Sequence, residues 1–365
     1  MSLPTNSLMN PRMSLITDSP LTTDADGFSN SPDVKLLYQT ALASSAEHVA
    51  MYQAKAHPLL LELKRKVATL HLQQSFKPDI DELHHIGLNT APLQSSYDLI
   101  LLIPSKDKIQ TLGWMADAFL HLNEQGKLLV ACENQYGAKS YENALKKLAG
   151  HAYGFSKAKC RCFSAKRSQT FDSQLQREWL AKAKPQVVDS HGLWAQPGLF
   201  SWKSADVGSL LLLEHLPKLQ GKGMDLCAGY GLLSAEILNT ANQITHLHVV
   251  EADADGLICA QKNLACFSLP IDYHHLDAIE EKLPKHLDWV VCNPPFHRGQ
   301  ARDVSIGQRI VERACDSLVV GGVVYIVANR QLPYENILKA KLAAVEVIAA
   351  DLGFKIIRGI SFSGN

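Results

Sequence analysis

The sequence predicts an α/β protein of two tandem halves built on one pattern, the second carrying a seven-stranded, mostly parallel sheet with a reversed last strand. Three observations predict it. From about residue 206 onward, apolar runs of strand length alternate with helical spacing, as in a parallel sheet covered on both faces. Gly223-Met-Asp225-Leu-Cys227-Ala-Gly229-Tyr-Gly231 reads as strand, glycine turn and helix start, a geometry that brings a ligand to backbone amides at a helix N-terminus. Finally, Asp98-Leu-Ile-Leu-Leu-Ile-Pro104-Ser105 parallels Asp288-Trp-Val-Val-Cys-Asn-Pro294-Pro295, and a glycine-led strand follows each, Gly126 to Glu133 and Gly321 to Asn329. The first half therefore reads as a decayed copy of the second.

Residues 1–33 are rich in Ser, Thr, Asn, Pro and Asp, with Arg12 the sole basic residue, and predict a disordered tail. Residues 34–185 predict the degenerate half. From Val34 to about Phe76 the apolar spacing is helical, in segments around Leu36 to Tyr52 and Pro58 to Leu70. The strand beginning at Asp98 has no glycine loop before it, and Ile103 and Lys106 stand where the second half has Asn293 and Phe296. An isoleucine accepts no N–H, so this half is expected to be catalytically inert. Between Lys139 and Arg167 lie Lys146, Lys147, Lys157, Lys159, Arg161 and Lys166, with Glu142 the one acid and Tyr141, Tyr153, Phe155 and Phe163 interleaved. That mixture suits phosphate contacts with base stacking. A solvated helix and hairpin face has the same composition.

In residues 186–365, strands are expected near 223–227, 246–251, 271–276, 287–292, 322–328, 345–350 and 354–361. Helices are expected near 206–216, 231–240, 254–266, 304–318 and 334–343, the first N-capped by Asp206. Only Asp351-Leu-Gly353 separates the last two strands, too little for a parallel crossover, so they form an antiparallel hairpin. Ligands bind at the C-terminal ends of such strands, where Asp225, Glu251, Asp277 and Asn293 all fall. Glu251, 20 residues after Gly231, is suited to two ribose hydroxyls, and Asp277 to an adenine amino group. Each acid alone is more often a solvated strand end.

The chemistry concentrates in Asn293-Pro294-Pro295-Phe296. An exocyclic NH2 on a base is a poor nucleophile because its lone pair is delocalised into the ring. The Asn293 side-chain oxygen and the Pro294 carbonyl can each accept one N–H, leaving the lone pair aimed at an electrophile. Two prolines fix φ and remove competing donors, and Phe296 offers a face for a flat base. The same tetrapeptide would also serve as an ordinary strand-ending turn.

On these residues, together with Pro197-Gly-Leu-Phe200-Ser201, Asp206-Val-Gly208-Ser209, His297, Val327-Ala-Asn329 and Leu332-Pro-Tyr334, residues 199–361 resemble the class I S-adenosylmethionine-dependent methyltransferases. More narrowly they resemble the bacterial small-subunit (16S) ribosomal RNA guanine-N2-methyltransferases of the RsmC type. The resemblance implies two tandem Rossmann-like methyltransferase domains, the N-terminal one degenerate and devoted to RNA recognition and support. It implies S-adenosylmethionine as cofactor, its methionine end held by the loop of Asp225, Cys227, Gly229 and Gly231, its ribose by Glu251 and its adenine by Asp277. Asn293 to Phe296 would grip the target amine, with Asn293 also among the residues that bind the cofactor. Lys157, Lys159, Arg161, Lys166, Arg167 and His297 would meet RNA, within the small subunit or its precursor. One departure stands out: the family usually carries glycine where Cys227 stands, and a side chain there narrows the pocket wall.

Formal net charge is zero, from 36 basic and 36 acidic residues, so any RNA binding must come from a local patch. The eight cysteines form no C-x-x-C pair, and Cys160-x-Cys162 has no partner pair for zinc, so reduced thiols and no metal site are expected. No apolar run reaches the ~18 residues of a membrane helix, and no signal layout opens the chain. A cytoplasmic monomer is expected. Rival readings are a large-subunit rRNA guanine-N2 enzyme, a methyltransferase for adenine N6 or protein glutamine, and a non-catalytic assembly factor.

Overall fold

The protein is described here by a computed structural model covering residues 28–94, 96–188, 191–295, 297–298, 301–302 and 304–362. The N-terminal half runs α1 (Pro32–Leu42), β1 (His48–Tyr52), α2 (Pro58–Lys66), β2 (Thr69–Leu72), α3 (Lys77–His85), β3 (Tyr97–Leu102), α4 (Lys108–His121), β4 (Leu122–Glu133), α5 (Ala138–Ala149), β5 (Tyr153–Lys157), β6 (Cys160–Lys166) and α6 (Ser173–Ala183). A short hairpin, β7 (Gln186–Val188) and β8 (Leu193–Ala195), leads into the second half. There follow α7 (Val207–His215), β9 (Gln220–Leu226), α8 (Leu232–Thr240), β10 (Gln243–Glu251), α9 (Ala254–Leu264), β11 (Ile271–His275) and β12 (Leu287–Cys292). The chain ends with the two-residue strands β13 (His297–Arg298) and β14 (Ala301–Arg302), then α10 (Val304–Cys315), β15 (Leu318–Asn329), α11 (Tyr334–Lys341), β16 (Ala344–Asp351) and β17 (Phe354–Ile360).

The second half forms the expected seven-stranded sheet, ordered β11-β10-β9-β12-β15-β17-β16, with β17 antiparallel to both its neighbours. One face packs on α7, α8 and α9 through Leu212, Leu233, Ala260 and Val291, and the other on α10 and α11 through Val290, Val311, Tyr334 and Leu338. At Gly223 no Cβ fits, because the Trp289 indole of the adjacent strand occupies that space.

The first half corrects one expectation. Instead of two helices between Val34 and Phe76, helix and strand alternate, with His48–Tyr52 and Thr69–Leu72 pairing as parallel strands. Val49 to Tyr52 are all buried, and a strand buried on both faces shows no alternation to separate it from a helix. The tail expected over residues 1–33 lies outside the described residues as far as residue 27. From Phe28 the chain already packs on the N-terminal core, and the Ser29 amide donates to the Ala56 carbonyl at 2.8 Å.

The six-stranded N-terminal sheet, β2-β1-β3-β4-β6-β5, superposes in order and direction on β10-β9-β12-β15-β17-β16, lacking only a counterpart of β11. Taking Ile103 for Asn293, the registers Met51↔Leu101 and Asp225↔Val291 make Met51 the counterpart of Asp225. The registers Met51↔Leu72 and Asp225↔Val249 then make Gln74 the counterpart of Glu251. The two halves meet at those equivalent points. Phe76 bridges Asp253, the Lys77 amide donates to the Ala252 carbonyl at 2.7 Å, and the Ala254 amide donates to the Ser75 carbonyl at 2.9 Å. Each half thus offers the same two backbone groups to the other, a local pseudo-twofold contact. Lys77–Glu281 at 2.9 Å and Trp202 Nε1 donating to Asp107 at 2.7 Å extend it.

Candidate active site

The loop after β9 is set by its own backbone. Cys227, Gly229 and Gly231 all take positive φ, of 64°, 57° and 84°, and Gly231 is the N-cap of α8. A Cβ on Gly229 would point into open space, whereas one on Gly231 would press on Ala260 at 3.1 Å. Cys227 therefore holds a left-handed conformation that favours glycine, at a cost of about 1 kcal/mol. A hydrogen bond with Cys292, and then burial, push its thiol well above the usual range.

Asp225 is fully buried and accepts from the Ser234 amide at 3.0 Å and its hydroxyl at 2.6 Å, which ties β9 to the first turn of α8. Its other oxygen has no partner among the described residues, and burial pushes its carboxyl up to about 6, with Ser234 pulling the other way. Glu251, at the end of β10, receives the Gly229 amide on one oxygen at 2.7 Å and the Ala252 and Asp253 amides on the other at 2.8 Å. Burial raises its carboxyl to about 7 against those three N–H groups. Asp277 stands beside it, since the preceding Leu276 amide donates to the Glu251 carbonyl at 3.2 Å, and the Asp277 carboxylate receives the Ile279 amide at 2.8 Å.

Asn293 sits one residue past β12. Its Nδ2 donates to Asp206 Oδ2 and to Ser209 Oγ, both at 2.9 Å. A carboxylate only accepts, so this pairing fixes the amide orientation, and no described residue donates to Oδ1. Asp206 does serve as the expected N-cap of α7, receiving the Ser209 amide at 2.8 Å. Its second task, orienting Asn293 from 87 residues away, was missed. The segment Asp206-Val-Gly208-Ser209 was the available signal, but nothing in its spacing points to residue 293. Pro294 is buried and Pro295 exposed. Gly307 has no Cβ to collide with the buried Tyr334 hydroxyl beneath this loop. Phe296 lies outside the described residues, as does the side chain of His297.

The expected RNA contacts divide. Lys157, Lys159 and Lys166 are exposed, the first two flanking the β5–β6 turn. Arg161 instead pairs in fork geometry with buried Glu142, both distances 2.6 Å, which holds the carboxyl below its usual range. Arg167 donates to the Leu122 carbonyl at 3.2 Å and lies over the Phe171 ring. Neither arginine is presented to a phosphate. The reason is strand alternation: Tyr153, Phe155 and Lys157 share one face of β5, while Arg161 projects from the other face toward α5. Tyr153 and Phe155 are 75% and 48% exposed and line a cavity of about 260 Å³ with Thr40, Ser44 and Lys127.

The sheet order, its reversed last strand, the glycine turn tied to a strand-end acid and the oriented Asn293 together define a class I methyltransferase. Residues 190–358 match the protein family described as the methyltransferase small domain. The chain is 30% identical over 271 residues to the ribosomal RNA small subunit methyltransferase C of Shewanella piezotolerans, covering 74% of this chain and 79% of that protein. To its namesake from Shewanella halifaxensis it is 28% identical, covering 74% and 80%. Among solved structures, the T. thermophilus 16S rRNA N2 methyltransferase, determined with AdoMet and guanosine, matches with a TM-score of 0.75 at 24% identity, over 91% of this chain and 92% of that one. This chain belongs to the ribosomal RNA small subunit methyltransferase C family.

Proposed function

We propose that the protein transfers the methyl group of S-adenosylmethionine to the exocyclic N2 amine of a guanosine in small-subunit ribosomal RNA, with the N-terminal half holding the RNA. The observation that carries the reading is Asn293, whose NH2 is fixed by Asp206 and Ser209 so that its oxygen is left to accept an N–H. Pro294 adds a carbonyl without adding a competing donor. With one amine N–H on each oxygen, the nitrogen lone pair is aimed out of the base plane.

The residues present fit the cofactor. The open space at Gly229 admits a ligand against the loop, and Glu251, braced by three amides, keeps lone pairs for two ribose hydroxyls. Asp277 stands on the adenine side, and Asp225 acts through Ser234 by holding the loop rather than by touching the ligand. When bound, the cofactor supplies a methyl group on a sulfonium, already electrophilic without a metal. After transfer the cationic nitrogen gives up its proton to water.

RNA binding by the first half is supported by the exposed Tyr153 and Phe155 beside Lys127 and Lys157. Tyr153, Phe155 and Lys127 line one open cavity of about 260 Å³. The reading extends to a cytoplasmic monomer acting on the small subunit or its precursor. Among the described residues no helix is long and apolar enough to cross a membrane. Incubating the protein with labelled S-adenosylmethionine and unmodified small-subunit RNA, then digesting to nucleosides, should yield 2-methylguanosine. A product in adenosine, or label in protein alone, would refute it.

A further inference from the structure

Spacing along the chain showed no metal-ligating cluster, yet the fold assembles one from two strands. His246 and His248 lie on β10 and Asp272 and His274 on β11. The parallel register His248↔Asp272, Val250↔His274 places all four on one face of the sheet. His246 Nε2 is 2.8 Å from Asp272 Oδ2, His248 Nδ1 is 3.6 Å from the same oxygen, and His248 Nδ1 is 3.1 Å from His274 Nε2. The donor atoms of His246, His248 and Asp272 lie within 4.8 Å of one another. We propose that this group is a binding site for a divalent transition cation of the zinc class, with His246, His248 and Asp272 as ligands and water completing the coordination.

The geometry suits such an ion. A cation bound at about 2.0–2.2 Å to each donor requires donors roughly 3–4 Å apart, and the two histidine–Asp272 separations of 2.8 and 3.6 Å lie close to that range. Two imidazoles with one carboxylate favour zinc, cobalt or nickel over magnesium or calcium. Lys222, in register with His246 on β9, is the cation whose charge opposes binding.

The site has a mechanical consequence. β11 pairs only with β10, so it is an edge strand, and the chain leaves it for Asp277. A cation bridging the two strands would clamp the edge that carries the adenine side of the proposed cofactor cleft. Cation binding itself does not depend on the methyl-transfer reading.

The test uses the full chain, tag-free and stripped with chelator, titrated calorimetrically with ZnCl2. The expected result is one equivalent bound with micromolar or tighter affinity. The melting temperature should rise by about 5 °C at zinc a hundredfold above Kd. Co2+ should give a visible spectrum of tetrahedral coordination without a thiolate charge-transfer band. His246→Ala with His248→Ala should weaken binding at least about a hundredfold, and D272N, at a half-exposed position that spares the fold, about tenfold. Binding weaker than about 100 µM, a thiolate band, or zinc affinity unchanged by D272N would overturn the proposal.

Discussion

The amine-holding role proposed for Asn293 rests on its own NH2 being already held. A free asparagine amide rotates and offers donor and acceptor alike; Asp206 and Ser209 remove the donor and leave an oxygen of fixed direction. Asn293→Ala should therefore lower kcat by about 10²–10³-fold, as loss of a preorganised polar contact does. The calorimetric Kd for S-adenosylmethionine should stay within about twofold, since in the proposed arrangement the ribose and adenine are held by Glu251 and Asp277 and the main task of Asn293 is the amine. Glu251 gives the second expectation at this scale. Its carboxyl is raised from 4.5 to about 7, so the free fold is favoured while the group is protonated and gives up that advantage as pH rises from near 4.5 through 7. The ionised form, however, is the better acceptor for ribose hydroxyls. Cofactor affinity measured across pH should climb through about 7 and level off above it, and E251Q should flatten the profile at a weaker affinity.

Helices and strands show where local reading succeeds and where it fails. The glycine turn was legible from its residues, because positive φ and a helix N-terminus leave a mark in sequence. The strands His48–Tyr52 and Thr69–Leu72 were not: burial on both faces erases the two-residue period, and helical segments on either side supplied a false continuity. Arg161 failed for the opposite reason. It belongs to a basic run in sequence, but alternation along β6 sends it to Glu142 on α5. The contact between α3 and α9 at their N-termini can be tested without touching a side chain. Ala254 is the first residue of α9, where proline is tolerated, and Asp253 before it has φ −98° and ψ 116°, which proline accepts. Ala254→Pro deletes the amide that donates to Ser75 and leaves the helix intact. Denaturant unfolding should then show the two halves separating at different midpoints, and cofactor affinity should fall several-fold as the Glu251 loop loses its brace.

The whole molecule shows a duplication that diverged at its site while keeping its frame. In the first half, Gln74 repeats the task of Glu251. Its Oε1 receives the Ser75 and Phe76 amides at 2.9 and 3.0 Å, and its Nε2 donates to the Ala54 carbonyl at 2.9 Å. Lys55 stands at the position of Gly229 and pairs with buried Asp79, filling the space a ligand would need. The RNA-holding role proposed for that half has its own test. Replacing Lys157, Lys159 and Lys166 together with Ala should weaken RNA binding and lower the slope of log K against log salt by about 2, at roughly 0.7 per lost phosphate contact. R161A should instead destabilise the half, because it takes the fork from buried Glu142 and leaves it the exposed Lys139 alone, and leave that slope unchanged. The sequence by itself determined the sheet of the second half, the glycine turn, the strand-end acids and the Asn-Pro-Pro loop, because each is written in neighbouring residues with a local conformational demand. Only the tertiary structure decided which way the Asn293 amide faces, which basic residues reach solvent, how the two copies meet at Ser75–Lys77 and Ala252–Ala254, and that His246, His248 and Asp272 converge. Those depend on strand register and on contacts between residues 19 to 179 positions apart, for which a one-dimensional pattern carries no period.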